Sequence, residues 1–443
     1  MRPVTDEQQR WIDAAWDAID ADALRATVVE MTSIASPTGE EAALAGYLTA
    51  RLARLGLSAR YQAIDERQAN AIGTLPGTGD GSDLLLYAPI DTLTTGTAAE
   101  DVPWIGPELR ADMLANAEVK GEWVVGLGAS NPKAHGACVI EAAAAIGRAH
   151  VPLAGDLIVG LGAGGMPTNR HPAGTLRNNA GQGVGCSFML EQGVYPDFAI
   201  IAKPGWAVAW EEVGLCWFRV VVGGTFNYVG SRHRLPYRNP IVGAADFVRD
   251  FEQWLPSYTE RNSSGLVSPQ GNVGNIRAGW ERTGSLAPAQ CSMLIDLRVS
   301  PRTPPQEVRR QFAEFVDTVR VRHADLSLHW EMVLSIPGTS TPVESKVVQS
   351  CINAWETVEG KRHEAMTGTS GATDANILRN RGIPTARVGM PKAIDDQGIE
   401  VDFAMGMNAA DMRHMRALTR LLIHSSITIC STPPETVLPA GAR

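Results

Sequence analysis

Short apolar runs alternate with helix-like segments along the first half of the chain, and this alternation constrains the fold more than any other feature. Strand-like runs are predicted at residues 83–87, 122–126, 156–161 and 197–201. The Ala-rich stretch 136–149 between two of these runs predicts a helix. Strands that alternate with helices form mostly parallel sheets with helices on their faces. We therefore expect an α/β domain with a mostly parallel sheet sandwiched by helices.

The segment 24–57 predicts two helices joined by a turn at SPTG. In this turn Thr38 is followed three residues later by Glu41. That spacing is typical of a residue that caps the start of a helix. We therefore interpret Thr38 as the cap of the second helix.

The pattern changes near Gly214 and changes back after residue 334. Strands are predicted in CWFRVVVGG, AQCSMLIDLRVSP and LSLHWEMVLS, and helices at 239–254 and 305–319. Two helices on one face of an antiparallel sheet form a compact α+β domain. A chain of 443 residues is also too long for one core. We interpret 214–334 as a smaller α+β domain, inserted between residues 1–213 and 335–443 of one α/β domain.

Composition excludes several classes of function. The net charge of −9 is spread along the chain without a basic run, which argues against nucleic-acid binding. The sequence has no apolar run of the roughly 20 residues that a membrane span needs. Residues 1–24 predict an acidic amphipathic helix and lack the apolar core of a signal peptide. The six cysteines form no C-x-x-C pair, so we expect reduced thiols and a cytoplasmic location.

The chain resembles, over most of its length, the family of two-zinc aminoacylases, glutamate carboxypeptidases and succinyl-diaminopimelate desuccinylases. The stretches that carry the resemblance occur in the family's order. They are SPTGEEAALAGYLTARLARLGL, LLLYAPIDT, VVGLGASNPKAHGA, GVGCSFMLEQGVYPDFAIIAKPG, NPIVGAADFV, LIDLRVSP and TSGATDANILRNRGIPTARVGMP. The resemblance implies a catalytic α/β domain, an inserted lid domain through which two chains dimerise, and hydrolysis of amide bonds.

The same resemblance implies metal ligands that this chain does not have. The family pattern has a histidine, a bridging aspartate, a Glu–Glu pair, an acidic residue before proline and a late histidine. The matching positions are occupied here by Pro89, Asn131, Gly164-Gly165 (or the pair one residue later), Lys203 and, as the best match, Met407. No carboxylate occurs from residue 157 to 190, so a shift of register does not restore the pair. Zinc needs at least three N, O or S donors. We expect no dinuclear metal site and no cofactor; the nine histidines leave a relocated metal as the alternative.

Three residues are candidates for catalysis. Asp91 survives from the family pattern as a base or as an orienting group, or it caps a loop. Lys203, at the end of a strand, is expected to replace the lost cation by polarising a carbonyl or holding a carboxylate. With a lowered pKa it would instead serve as a proton donor or nucleophile. The alternative is an ion pair with Asp91 or Glu211 that fills the vacated space. Tyr228 is the better match to the family's lid histidine, and His233 is the other candidate.

Eight residues are candidates for substrate binding, and most of them also have a structural interpretation. They are Asn131, Lys133, His135, His233, Asn239, Arg298, Ser370 and Asp374. Arg298 ends the LIDLR motif, where the family often binds a substrate carboxylate, although a surface ion pair is the plain alternative. The structural interpretation of Lys133 and His135 is that they flank a helix start and are solvated. The structural interpretation of Ser370 is a turn residue in a Gly-rich loop.

The sequence therefore predicts a metal-independent hydrolase that acts on an amide or related C–N bond of a small anionic molecule. The alternatives are a lyase, decarboxylase or isomerase acting on a small carboxylic acid, or a paralogue that binds without turnover. The expected partners are the substrate and a second copy of the chain, with no nucleic acid and no membrane.

Overall fold

The computed structural model describes residues 4–168, 181–391, 394 and 407–432. The chain forms two compact units. The larger comprises Met1–Trp210, Thr341–Ala365 and Thr373–Arg443, and the smaller comprises Glu211–Ser340 and Met366–Ala372. The segment Met366–Ala372 was predicted to belong to the larger domain, but it groups with the smaller unit. The reason is that the backbone of Thr369 exchanges hydrogen bonds with Leu266 and Ser268.

The elements are numbered along the whole chain. In the described residues the helices are α1 (Asp6–Asp17), α2 (Ala21–Ser33), α3 (Ala42–Arg54), α4 (Ala98–Asp101), α5 (His135–Arg148), α6 (Val184–Glu191), α7 (Pro240–Asn262), α8 (Pro305–Arg322), α9 (Lys346–Glu359), α10 (Ala375–Asn380) and α11 (Met412–Cys430). The strands are β1 (Ser58–Ala63), β2 (Ala69–Leu75), β3 (Leu84–Pro89), β4 (Glu118–Lys120), β5 (Trp123–Val125), β6 (Leu157–Gly162), β7 (Phe198–Ala202), β8 (Glu211–Glu212), β9 (Gly214–Gly223), β10 (Asn227–Tyr228), β11 (Gly271–Ala278), β12 (Leu286–Ala287), β13 (Gln290–Val299), β14 (Ser327–Ile336), β15 (Thr339–Ser340), β16 (Thr385–Val388) and β17 (Ala409–Asp411).

The larger unit is built on a mixed sheet with the strand order β1-β2-β6-β3-β7-β16. Strands β6, β3, β7 and β16 run parallel to one another, while β1 and β2 are antiparallel to their neighbours. Every residue of β3 is buried, as expected for a strand covered by helices on both faces. The predicted α/β class is confirmed. Because β6, β3 and β7 are adjacent, the segments that follow them lie at one edge of the sheet.

Two local predictions in the larger unit are wrong. The run 122–126 does not join the parallel sheet; β5 forms a separate antiparallel sheet with β4 and β17. Thr38 does not cap α3, because its hydroxyl donates to Asp91 Oδ2 at 2.7 Å. Glu41 immediately precedes that helix but makes no side-chain cap hydrogen bond. Its carboxyl group is instead held by the backbone of a distant turn.

Small side chains allow the central helix of the larger unit to pack closely. Helix α5 is Ala-rich, and it is buried along nearly its whole length, from His135 to Ile146. It packs against β3 and β6 of the sheet and against α2 and α11. Close packing of this kind fixes the start of α5, and with it the segment Ala129–Ala134 that leads into the helix.

The smaller unit has an antiparallel sheet with the order β11-β13-β9-β14 and two long helices, α7 and α8. Alternate residues of β13 are buried, as in a sheet with one face covered. The covered face packs aromatic side chains, including Phe218 stacked on Phe312 with ring centroids 4.2 Å apart. The predicted α+β insertion is confirmed. Across the described ranges, we find no helix that combines the length and apolar character needed to cross a bilayer.

Candidate functional site

Asp91 follows β3 at the carboxyl edge of the parallel strands and is fully buried. Its Oδ1 accepts a hydrogen bond from the Gly165 N–H at 2.8 Å. Its Oδ2 accepts from the Met166 N–H at 2.9 Å and from the Thr38 hydroxyl at 2.7 Å. The carboxylate therefore ties the loop before α3 to the turn after β6. This is the geometry expected of an orienting group, and the role of Asp91 stays a prediction.

Glu41 is a second buried carboxyl group beside Asp91, and the sequence analysis did not assign it to the site. Its Oε1 accepts from the N–H groups of Gly39, at 2.9 Å, and Gly164, at 3.0 Å. Burial, and then the negative charge of Asp91, raise the pKa of Glu41 to about 8. One signal in the sequence could have pointed to Glu41. No carboxylate occurs from residue 157 to 190, so the Gly164 N–H finds its carboxyl partner in a distant part of the chain.

Lys203 follows β7 and exposes only 5% of its surface. Its Nζ donates to Asn131 Oδ1 at 3.2 Å and lies 3.7 Å from Met166 Sδ. Burial of an ammonium is costly unless polar groups compensate for the lost water. Lys203 and Asn131, predicted from the sequence to share the site, are therefore in direct contact. Glu211, one of the predicted ion-pair partners, binds Arg302 in the smaller unit.

The structure brings together the positions at which the family pattern places metal ligands. Asn131 donates its N–H to the Met407 carbonyl at 3.1 Å. A Cβ built on Gly165 would lie 2.3 Å from Pro89 Cβ, so these two residues touch. The family's ligand positions thus converge, but the side chains found there do not fit a two-zinc site, since proline and glycine offer no donor and lysine is a cation. In the part of the chain that the structure describes, no group of three His, Cys, Asp or Glu is placed to hold a metal ion. His171 lies outside that part.

Lys133 and His135 are both fully buried at the start of α5 rather than solvated. Lys133 Nζ donates to the Ile34 carbonyl at 2.8 Å, and burial lowers its pKa to about 7. His135 Nε2 accepts from the Met390 N–H at 3.2 Å, so its Nδ1–H donates to the Ser130 carbonyl at 2.8 Å. Burial, with smaller effects of the positive charges of Lys203 and Arg387, lowers the pKa of His135 to about 3. With both ring nitrogens engaged in these contacts, His135 positions the backbone around the site.

Asp374 is also buried near the turn after β6. Its Oδ2 accepts from the Tyr87 hydroxyl at 2.7 Å and lies 3.1 Å from a Cβ built on Gly165. Burial, followed by the charge of Asp374, raises the pKa of Tyr87 well above its usual value. Tyr87 therefore stays a hydrogen-bond donor to Asp374. The larger unit thus brings together Asp91, Asn131, Lys203 and Asp374.

The other predicted site residues lie in the smaller unit. Tyr228 is 58% exposed in the two-stranded sheet of β10 and β12, and His233 is also exposed. Asn239 caps α7 by accepting from the Ile241 N–H at 3.0 Å. Arg298 forms an ion pair with Asp296 at 3.0 Å, which is the plain alternative to carboxylate binding. Ser370 Oγ accepts from the Gln270 N–H at 3.1 Å.

Solved structures share this architecture. Human carnosine dipeptidase 1 matches with a TM-score of 0.69 and 12% identity, over 97% of this chain and 100% of that chain. The aminopeptidase PepT from Bacillus cereus matches with a TM-score of 0.63 and 16% identity, over 93% and 100%. A metallo-carboxypeptidase from Sulfolobus solfataricus matches with a TM-score of 0.64 and 13% identity, over 91% and 98%. No protein-family model matches the sequence. At these identities the likeness shows the fold, which is that of the peptidase family predicted from the sequence.

Proposed function

We propose that this protein is a metal-independent enzyme that binds a small anionic molecule at the carboxyl edge of the parallel strands and hydrolyses an amide or related C–N bond. The observation that carries the proposal is the buried ammonium of Lys203, held at the end of β7 by Asn131 Oδ1 at 3.2 Å. A cation fixed in a site of low dielectric stabilises negative charge that develops on a carbonyl oxygen. The same cation attracts an anionic substrate.

The position of Lys203 in the fold supports this interpretation. Open α/β sheets bind ligands in the crevice outside the carboxyl ends of their strands. Asp91 and Lys203 follow the neighbouring strands β3 and β7 at that edge. The similar structures are named as an aminopeptidase, a dipeptidase and a carboxypeptidase, all of which cleave amide bonds. Likeness of fold is an association, so the choice of chemistry depends on the residues of the site.

Each residue has a distinct part in the proposal. Lys203 supplies the positive charge, and Asp91 holds Met166, whose sulfur contacts that ammonium. Tyr228 is proposed to donate its hydroxyl to the developing oxyanion, and Arg298 to pair with a substrate carboxylate. These two roles follow from the family resemblance.

A second candidate is a lyase, decarboxylase or isomerase that acts on a small carboxylic acid by proton transfer alone. It is favoured by Gly164 and Gly165, which stand where the family has the Glu–Glu pair that activates water. The N–H groups of Gly164 and Gly165 donate to Glu41 and Asp91. Backbone donors therefore lie at the positions where the family has two carboxylate side chains. A paralogue that binds without turnover has the same site and differs only in outcome.

Two further properties belong to the proposal. The resemblance implies a homodimer formed through the inserted domain, and we propose this assembly here. We also propose a cytoplasmic location, because the six cysteines are all buried free thiols, as is usual in a reducing compartment.

Turnover assays separate the candidates. The purified protein is offered N-acyl amino acids, dipeptides and cyclic amides with and without a chelator, and products are identified by mass spectrometry. We expect hydrolysis of an anionic member of the panel at a rate that chelation does not change. Loss of carbon dioxide or water, or a product of unchanged mass that chromatography separates from the substrate, identifies the second candidate. Thermal stabilisation without turnover identifies a binding protein. One or two equivalents of transition metal by elemental analysis, with activity lost on chelation, would overturn metal independence.

Lys203→Met tests the charge itself. Methionine keeps the length of the side chain and removes the ammonium, so we expect the fold to persist and turnover to fall by about 100-fold or more. Lys203→Arg is expected to restore activity only in part, because a planar guanidinium differs in shape from an ammonium. Lys120→Met is the matched control, since Lys120 is exposed and pairs with Glu118. Full activity in Lys203→Met would reduce this lysine to a structural role.

A further inference from the structure

Two buried carboxyl groups bind the turn that follows β6. We call Gly164, Gly165 and Met166 the 164–166 turn. Glu41 Oε1 accepts from the first N–H of this turn at 3.0 Å. Asp91 accepts from the second at 2.8 Å and from the third at 2.9 Å. Three consecutive backbone N–H groups therefore donate to two carboxyl groups. Glu41 belongs to the loop before α3, and Asp91 follows the end of β3.

Neither of these carboxyl groups is exposed to solvent. Two carboxylates that share a dry site repel each other, so one of them keeps its proton. Both oxygens of Asp91 accept hydrogen bonds. Glu41 Oε2, by contrast, is buried with no hydrogen-bond partner in the described ranges. It is the oxygen of the pair that can carry a proton without displacing an existing donor.

We propose that Glu41 and Asp91 hold a single proton between them at neutral pH, carried on Glu41, and that this proton fixes the position of the 164–166 turn. The pKa of Glu41, raised to about 8 by burial and by Asp91, agrees with this geometry. Glu41 is a positioning residue in this proposal, since it acts on the site through the backbone of the turn.

Among the residues that the structure describes, Asp91 is the principal electrostatic neighbour of Glu41. Residues 163–168, which carry the turn, contain no titratable side chain. Residues 42–46 at the start of α3 contain none either. Glu40 lies partly exposed and pairs with Arg67 at 3.1 Å. Asp374 approaches the turn from its other side, at Gly165, and accepts from Tyr87.

The consequence for function passes through Met166. Its N–H is fixed by Asp91, and its Sδ lies 3.7 Å from Lys203 Nζ. When Glu41 loses its proton, a second negative charge appears beneath the turn, and the pair repels. We expect the turn to shift and the ammonium to lose its defined position. This part of the inference rests on the proposed function, whereas the shared proton does not.

The test compares the stability of the wild type, Glu41→Gln and Glu40→Gln as a function of pH. Glu41 binds its proton in the folded chain up to about pH 8, whereas its ordinary pKa is 4.5. Raising the pH between these values therefore destabilises the folded wild type but not Glu41→Gln, which cannot ionise. We expect the unfolding constant of the wild type, relative to Glu41→Gln, to rise about tenfold per pH unit in this window. Glu40→Gln is expected to follow the wild type.

A second measurement covers the case in which Glu41→Gln does not fold. In wild-type protein labelled with ¹³C at the glutamate carboxyl carbons, one resonance is expected to titrate near pH 8. If Glu41→Gln folds, this resonance is absent from its spectrum, and turnover lacks the fall above pH 8 that the wild type shows. Parallel stability curves for the wild type and Glu41→Gln, or no glutamate that titrates above pH 7, would overturn the shared proton. The stability curves and the NMR titration need no substrate, so they succeed or fail independently of the proposed reaction.

Discussion

Lys133 and His135 lie two residues apart, and burial lowers the pKa of both side chains. The pKa of Lys133 falls to about 7 and that of His135 to about 3, in both cases mainly through loss of water. A neutral His135 accepts the Met390 N–H and donates to Ser130, so its tautomer is set by its neighbours. Both lowered pKa values are therefore a consequence of burial at the start of α5.

Replacement of Lys133 by methionine should raise stability at pH 6 and lower it at high pH. In the folded chain Lys133 is charged only below about pH 7, whereas the ordinary value is 10.5, so the wild type gains about 1.4 kcal/mol per pH unit between these values. The variant lacks this dependence. It also leaves the Ile34 carbonyl without its donor, at a cost of about 1–3 kcal/mol. Urea unfolding at pH 6 and pH 9.5 measures both effects. A stability difference that is the same at both pH values would contradict the depressed pKa.

At the scale of single residues, the sequence singled out Lys203 and Asn131, which the structure places in contact, but not Glu41. The first two were found because the resemblance aligns them with metal-ligand positions, and the fold brings such positions together. Glu41 sits in a T-x-x-E pattern that locally indicates a helix cap. Its actual partner, the Gly164 N–H, lies 123 residues away. Local spacing cannot reveal a hydrogen bond between such distant parts of a chain.

The ends of β3 and β6 meet through a contact that leaves no room for a side chain. A Cβ on Gly165 would lie 2.3 Å from Pro89 Cβ and 3.1 Å from Asp374 Oδ2. Pro89 ends β3, so its Cβ cannot withdraw without moving the backbone, and Asp374 Oδ2 is held by the Tyr87 hydroxyl. Glycine at this position is thus required by the way the strand ends pack.

Gly165→Ala should therefore destabilise the protein by about 1–3 kcal/mol, the usual cost of overpacking. Combining it with Pro89→Gly should return part of that loss, so the double variant should be more stable than the sum of the two single changes predicts. Gly147→Ala is the control: its Cβ would meet only Leu75 at 3.8 Å, and alanine favours the helix. Unfolding free energies from urea titration give all four values. Strict additivity of the two changes would show that the Pro89 contact is not the cause.

At the scale of elements, the sequence predicted the strands that carry strong apolar runs. Strands β3, β6 and β7 lie where their patterns placed them. The run 122–126 was assigned to the wrong sheet, because a strand of only three residues does not identify its partner. Strand β11 was missed, since GNVGNIRA is rich in glycine and asparagine and most of it is exposed at the sheet edge.

At the scale of the whole molecule, the smaller unit offers an edge for association. Strand β11 forms one edge of its sheet, and Ile276 on that strand is 52% exposed. Exposed edge strands pair readily with a second chain. A homodimer that uses this edge would have twice the 47.4 kDa mass of the chain.

Sedimentation equilibrium at micromolar concentration is expected to give the dimer mass. Ile276→Lys should raise the dimer dissociation constant by about tenfold or more, because it places a charge at the pairing edge. Val321→Lys, on α8, changes an even more exposed apolar residue, 84% exposed, and should leave the mass unchanged. A single-chain mass for the wild type would contradict the dimer.

The hydrogen bonds of the 164–166 turn also set how quickly its amide protons exchange with solvent. Each of the three N–H groups donates to a buried carboxyl oxygen, so each can exchange with deuterium only when the turn leaves Glu41 and Asp91. A ligand that docks against the turn slows this opening whether or not it is a substrate. Deuterium uptake at these amides therefore offers a way to find what the site binds before its chemistry is known.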